Sequence, residues 1–282
     1  MNLKKPPHCY AIAALILTVF SSKVAANEDC LELARRAILG VNSSFLSMEP
    51  ASHLALLRSQ VLEALRTDCK DSAEAAYADL RMQELGAGVT VPVGILSPEQ
   101  HQALLESATA YLQRFPASPP ISTVFARTSH SVEAAQAAVR LNPHYQPAHA
   151  ALAESLLLAG QLDKAQTALN RIPDLSVLSD GYTLQARILL ARGELAGAIL
   201  AARRSLHKQQ TTSLLEPDGA SALPISQANE VLGLAYLQRR MYKAAAQALI
   251  DARIGSERAE ALLRDPPDGL QQALRARHFK AE

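Results

Sequence analysis

One spacing recurs three times in this chain and limits what it can fold into. With Gly160, Gly193 and Arg240 set in one frame, three segments superimpose: His149-x2-Leu152-Ala153-x2-Leu156, Tyr182-x2-Gln185-Ala186-x2-Leu189 and Asn229-x2-Leu232-Gly233-x2-Tyr236. Each is followed by a second apolar segment: Ala165-x3-Leu169, Ala198-x3-Ala202 and Ala245-x3-Leu249. The steps from Leu156 to Ala165, Leu189 to Ala198 and Tyr236 to Ala245 are all nine residues. Apolar residues at i, i+3, i+4 and i+7 make each segment a helix with one apolar face. Two helices cross closely only where small side chains meet. Ala153, Ala186 and Gly233 supply them on the first helix, and Ala165, Ala198 and Ala245 on the second. A single hairpin of this kind cannot bury its own apolar face, so the hairpins must stack. A large β core is excluded, because aromatic residues make up only 4% of the chain and tryptophan is absent.

The pattern resembles the tetratricopeptide family, whose repeat reads W-x2-L-G-x2-Y, then A-x3-F, then P. His149, Tyr182 and Asn229 stand at the tryptophan position, and the closing proline is plain only at Pro143. The resemblance implies an all-α fold: a right-handed α-solenoid of antiparallel helix hairpins with an N-terminal helical cap region. It covers residues 130–255, counted as three repeats and one half, the half being Val132 to Pro143. Pro119 and Pro120 are read as an interruption ahead of it. The period from Ala165 to Ala198 is 33 residues and that from Ala198 to Ala245 is 47, which places an insertion at 208–225.

What the resemblance implies for function is protein binding in a groove lined by the first helix of each hairpin. Carried over by position, the groove presents Ala150, Glu154, Leu157 and Leu158 from one repeat. The next contributes Thr183, Arg187, Leu190 and Ala191. The last contributes Gln227, Glu230, Leu234, Leu237 and Gln238. The lysine, arginine and asparagine clamp with which the family holds a free C-terminal carboxylate is missing, so an extended or helical apolar segment is the expected ligand. The alternative for Leu157, Leu190 and Leu237 is packing against the next hairpin.

The N-terminus carries export signals. Lys4 and Lys5 precede an apolar stretch, Ala11 to Phe20, and Val24-Ala25-Ala26 supplies small residues for a peptidase, so residues 1–26 are expected to be removed before Asn27. The apolar stretch is about half of the roughly 20 residues that span a bilayer. No stable membrane insertion is expected after cleavage, and the destination is periplasmic or secreted. Loss of Lys4, Lys5 and Lys23 leaves 25 cations against 27 anions, a net charge of −2. No basic run or stripe follows, which excludes the footprint of nucleic-acid binding.

Two cysteines lie beyond the leader, Cys30 and Cys69. In an oxidising compartment such a pair is more often bridged than free. Cys30 begins one helical stretch and Cys69 follows another, so antiparallel folding sets them side by side. The bridge is worth about 3 kcal/mol. Residues 27–115 form an N-terminal helical region, either degenerate hairpins or a cap, and 256–282 a C-terminal helix and tail. Expected helices include 72–85, 98–114, 131–141, 147–159, 163–171, 180–192, 195–207, 226–239, 242–253 and 256–264, with two earlier ones at 29–40 and 52–67. The start at 98–114 is the best specified. Ser97 is a cap, Pro98 sits in the first turn, and Gln100 can reach back.

Catalytic and metal constellations are thin. His144 and His149 are five apart, not the i, i+4 pair of a helical zinc site, and neither H-E-x-x-H nor G-x-S-x-G occurs. Glu154 with Asp163, or Asp265 with Asp268, are explained as solvated helix surface. No cofactor and no metal is expected, and the chain is read as a non-enzyme. The reading is an exported scaffold for protein–protein interaction, an assembly factor or chaperone for envelope or secreted proteins. The alternative is a helical accessory or catalytic component of a glycan- or peptide-acting envelope enzyme, with its catalytic residue around Glu74, Glu84 or Glu99.

Overall fold

A computed structural model of the chain describes Cys30, Glu63, Thr67, Cys69 and residues 71–84, 96–178, 180–212 and 223–277. Among these residues the chain is all-helical, with no strand. In order, α1 is Ala73–Glu84, α2 Pro98–Arg114, α3 Pro119–Ser129, α4 Val132–Leu141, α5 Gln146–Leu158 and α6 Leu162–Leu169. They are followed by α7 Gly181–Ala191, α8 Leu195–Thr212, α9 Leu223–Gln238, α10 Tyr242–Ala252, α11 Glu257–Arg264 and α12 Asp268–Arg275, with one 3-10 turn at Leu175–Val177. The expected helices at 29–40 and 52–67 and the stretch Gly86 to Ile95 lie outside the described residues, apart from Cys30, Glu63 and Thr67.

Odd- and even-numbered helices form two layers. Pairs α1–α2, α3–α4, α5–α6, α7–α8 and α9–α10 pack as hairpins, each second helix packs on the following first helix, and each first helix also touches the next first helix. This is the stacking arrangement that hairpins with one apolar face require. The hairpin α1–α2 joins the stack through contacts of both its helices with α3. At the other end α11 packs on α9 and α10, and α12 folds back onto α10. Leu263, Leu270, Ala273 and Leu274 thereby complete a core with Ala245, Ala246 and Leu249.

The small-residue crossings are where the repeat frame puts them. Ala153, Ala186, Ala165, Ala198 and Ala245 are fully buried. At Gly233 an added Cβ would lie 2.6 Å from Leu249 Cδ2, so α9 and α10 approach more closely than an alanine permits. The frame also has a backbone signature. Gly160, Gly193 and Arg240 all adopt the left-handed conformation, at φ of 72°, 77° and 58°, and His130 joins them at 52°. Each sits two residues before the second helix of its hairpin.

Capping fixes the helix starts. Ser97 Oγ accepts from Gln100 N at 3.2 Å while Gln100 Oε1 accepts from Ser97 N at 2.8 Å, the reciprocal box its sequence indicates. Ser131 and Ser256 cap α4 and α11 in the same way from one side, accepting from Ala134 N and Ala259 N.

Three expectations need correction. Pro119 and Pro120 do not interrupt the helical stack; they open α3 in its first turn. Proline lacks only a donor that has no partner there, and its fixed φ suits a helix start. The half repeat is therefore a whole hairpin, α3–α4. The expected insertion is shorter than 208–225, because α8 continues to Thr212 and α9 begins at Leu223, with Pro224 again in a first turn where proline is tolerated. The C-terminal segment holds two helices rather than one, since Pro266 and Pro267 end the first and Asp268 starts another.

Candidate functional site

The face built from the first helices is where the resemblance places a partner. Several of its charged residues are paired with residues of another helix. Arg187 Nη1 on α7 donates to Glu154 Oε1 on α5 at 2.7 Å. Arg127 Nη2 on α3 lies 3.3 Å from Glu84 Oε1 at the end of α1 and 3.5 Å from Asp180 Oδ2 at the start of α7. Arg81 closes a further ion pair with Glu84 one turn away. Beyond α7, Ser256 Oγ donates to Glu230 Oε2 at 2.8 Å, joining α9 to the start of α11.

These pairings set the charge states. Burial by itself raises the Glu84 carboxyl, but Arg127 and then Arg81 outweigh it and hold the group below the usual carboxylate range. Glu154 is treated likewise: burial pushes it up, and Arg187 and Arg127 bring it down. The Arg127 guanidinium is raised above its ordinary value by Glu84, against the effect of burial, with Asp180 and Glu154 adding to the rise. Both carboxylates are therefore ionised beside the charged Arg127.

Of the residues carried over from the family, the structure brings Glu154 and Arg187 together and ties Glu230 to Ser256. Leu157 and Leu190 are half-buried, packed against the cores of their hairpins, as is Leu237. Gln227 is half-buried, Gln238 and Ala191 are exposed, and Leu158 is 51% exposed. Three assignments are corrected. Thr183 is only 1% exposed, and its hydroxyl lies 2.6 Å from that of Ser205 on α8, so it faces its own hairpin partner. Leu234 is 5% exposed, because α9 is flanked by α7 on one side and by α11 on the other. Ala150 is buried too.

Sequence reasoning missed Arg127, Glu84 and Asp180 as members of this face. The prolines that hid α3 also hid Arg127. Glu84 was considered only as a catalytic candidate, and its two arginine partners make it a poor proton donor or acceptor near neutrality. Two further carboxylates posed as acids or bases have partners of their own. Asp163 pairs with Arg192, and Glu99 accepts from the Ser97 hydroxyl at 2.7 Å. His149 is buried, with Nε2 2.9 Å from Pro143 O. The paired cysteines are joined in the structure, Cys30 to Cys69, with Cα atoms 5.7 Å apart. Among the described residues, no group of three or more histidine, cysteine, aspartate or glutamate side chains is placed to hold a metal ion. No described helix is long and apolar enough to cross a membrane.

Stacked hairpins with small-residue crossings, a left-handed residue at the turns of four hairpins and a layer of first helices define an α-solenoid of tetratricopeptide type. Residues 131–188 match the family model of the tetratricopeptide repeat. The matched stretch begins at the cap of α4 and runs through α5 and α6 into α7. No curated protein matches the chain. The family is one of protein-interaction scaffolds and is in general non-catalytic.

Proposed function

We propose that this chain is an exported scaffold whose first-helix face takes an uncharged, largely apolar segment of a protein partner. In this reading it serves as an assembly factor or chaperone for envelope or secreted proteins. One observation carries it: the charges on that face are spent on one another. Arg127 and Arg187 are bound to Glu84, Asp180 and Glu154, and Glu230 accepts from Ser256. A ligand carboxylate would have to displace a carboxylate already held in a mostly buried pair, which costs more than it returns. What stays accessible is apolar or neutral: Leu158, Ala191 and Gln238. Export rests on the basic start, the apolar stretch and the small residues before Asn27.

Photo-crosslinking in the producing cell tests the reading. A photoreactive residue at Leu158 or Gln238 is expected to capture a discrete partner that the same residue at Leu200, an exposed position on the second helix α8, does not. Equal capture from both faces, or no partner together with turnover of a glycan or peptide by the purified protein, overturns it. N-terminal sequencing of the exported form should begin at Asn27.

A further inference from the structure

In a stack of hairpins each unit normally touches only its neighbours, so stability and shape are sums of nearest-neighbour terms. Arg127 departs from this. Its guanidinium reaches Glu84 in the preceding hairpin and Asp180 at the start of α7, two hairpins further on, with Glu154 of the intervening α5 also in its field. Arg127 and Asp180 side chains are each 26% exposed and Glu84 18% exposed, so the bridge is largely withdrawn from water.

A second observation is independent of those distances. Asp180 occupies the N-cap of α7, where an aspartate would ordinarily accept a hydrogen bond from the backbone of the first turn, yet its side chain makes no cap bond. That bond is worth about 1 kcal/mol to a helix. The Asp180 backbone is in the helical region, at φ −100° and ψ −1°, rather than in the extended conformation usual for a cap. The carboxylate is turned to Arg127 instead of to its own helix.

We propose that the Glu84–Arg127–Asp180 bridge is a latch that fixes the curvature of the first-helix layer from α1 to α7. It makes the first four hairpins one cooperative block. Because Arg127 ties α3 directly to α7, the tilt of α5 between them is set by both neighbours at once. Breaking the bridge restores ordinary nearest-neighbour behaviour: α7 then swings relative to α3, and the layer opens. The pair Glu154–Arg187 lacks this property, since it links adjacent hairpins only.

Amide hydrogen exchange on the whole exported chain tests the latch, with Arg127→Gln, Asp180→Asn, the double variant and Arg192→Gln as a control. Arg127→Gln is expected to speed exchange in the first turn of α7 by about fivefold or more, within the range of coupling seen for interacting residues. Asp180→Asn should give the same rise, and the double variant should add nothing to either. Asp180→Asn should likewise loosen α3, and both variants should enlarge the radius of gyration in solution. Arg192→Gln, which breaks the exposed pair with Asp163 between α6 and α7, is expected to leave exchange in α3 unchanged. Multiplying effects in the double variant, or unchanged exchange in α7 when Arg127 is replaced, overturns the proposal. If Arg127→Gln does not fold, the isosteric Asp180→Asn decides it by its effect on α3.

Discussion

Arg187 and Glu154 are ion-paired at 2.7 Å and stand 33 residues apart, the same distance that separates Ala165 from Ala198. The two therefore occupy one repeat position on successive hairpins, and opposite charges at that position make the repeat bind its neighbour. Both side chains are 22% exposed, so the pair is screened far less than a surface salt bridge. Removing one partner leaves a mostly buried charge. Arg187→Ala is expected to lower stability by about 2 kcal/mol in urea unfolding, less than the roughly 3–5 kcal/mol for breaking a fully buried pair because both side chains are partly exposed. The double variant with Glu154→Ala should cost less than the sum of the singles. Strict additivity would show that the pair contributes nothing.

Stability should also depend on pH through this network. Glu84 and Glu154 have carboxyls that neighbouring arginines hold below the usual carboxylate range in the folded chain. A depressed carboxyl stabilises the fold above its unfolded pKa, and that contribution is lost as pH falls through the folded value. The urea midpoint is therefore expected to hold down to about pH 5 and to decline below the unfolded carboxyl pKa near 4.5. Glu84→Gln should flatten the decline while lowering the plateau. An unchanged slope in that variant would remove Glu84 from the account.

Gly233 is predicted to be intolerant of a single methyl group. A Cβ there would meet Leu249 Cδ2 at 2.6 Å, Cγ at 2.7 Å and the backbone N at 3.3 Å, and Leu249 is fully buried. Overpacking of this kind costs about 1–3 kcal/mol. Gly233→Ala should lower the thermal midpoint although alanine is the better helix former, whereas Ala153→Gly in the same frame should lose only about 1 kcal/mol of helix propensity. A stabilised Gly233→Ala would mean that α9 and α10 cross less closely than they do here.

The contrast between these two positions shows what could be read from the sequence. The hairpins were legible because close crossing demands small residues at fixed spacing, and Ala153, Ala186 and Gly233 state that demand in the chain itself. The start of α2 was legible because Ser97 and Gln100 satisfy orphan backbone groups locally, within four residues. Helix α3 was not, since Pro119 and Pro120 are compatible both with ending a helix and with opening one, and only packing decides. The bridge at Arg127 was illegible for a different reason. Its three members lie on α1, α3 and at the start of α7, and their meeting depends on how four hairpins tilt. Thr183 was assigned to the open face because its repeat position is open in the family; Ser205, on the partner helix, draws it inward.

The Cys30–Cys69 bridge closes a loop with a sequence separation of 39 residues. Loop-closure entropy for that length corresponds to about 3–4 kcal/mol of stabilisation. The unreduced exported chain should be lighter than the reduced chain by two hydrogens in intact-mass measurement. Reduction, or Cys69→Ser, should lower the denaturation midpoint. A mass equal to that of two free thiols would refute the bridge.

The turns offer the last test, because two of the four left-handed positions inside hairpins are not glycine. Arg240, at φ 58°, and His130, at 52°, hold side chains in a conformation that Gly160 and Gly193 adopt without strain. For a residue with a Cβ the left-handed region costs on the order of 1–2 kcal/mol, and glycine loses part of that advantage through its more flexible unfolded chain. Arg240→Gly is therefore expected to raise stability by about 0.5–1 kcal/mol, the range for conformationally matched glycine and proline changes. Gly193→Ala should move it the other way, although nothing lies within 4 Å of an added Cβ at that position, so that the loss measures backbone strain alone. His130 tests whether the conformation or the side chain matters, because its ring stacks on His101 of α2 with centroids 6.0 Å apart. His130→Gly relieves the backbone but gives up that contact between hairpins, so its gain should fall short of the gain at Arg240. An equal gain at both sites would show that the histidine stack contributes nothing to the fold.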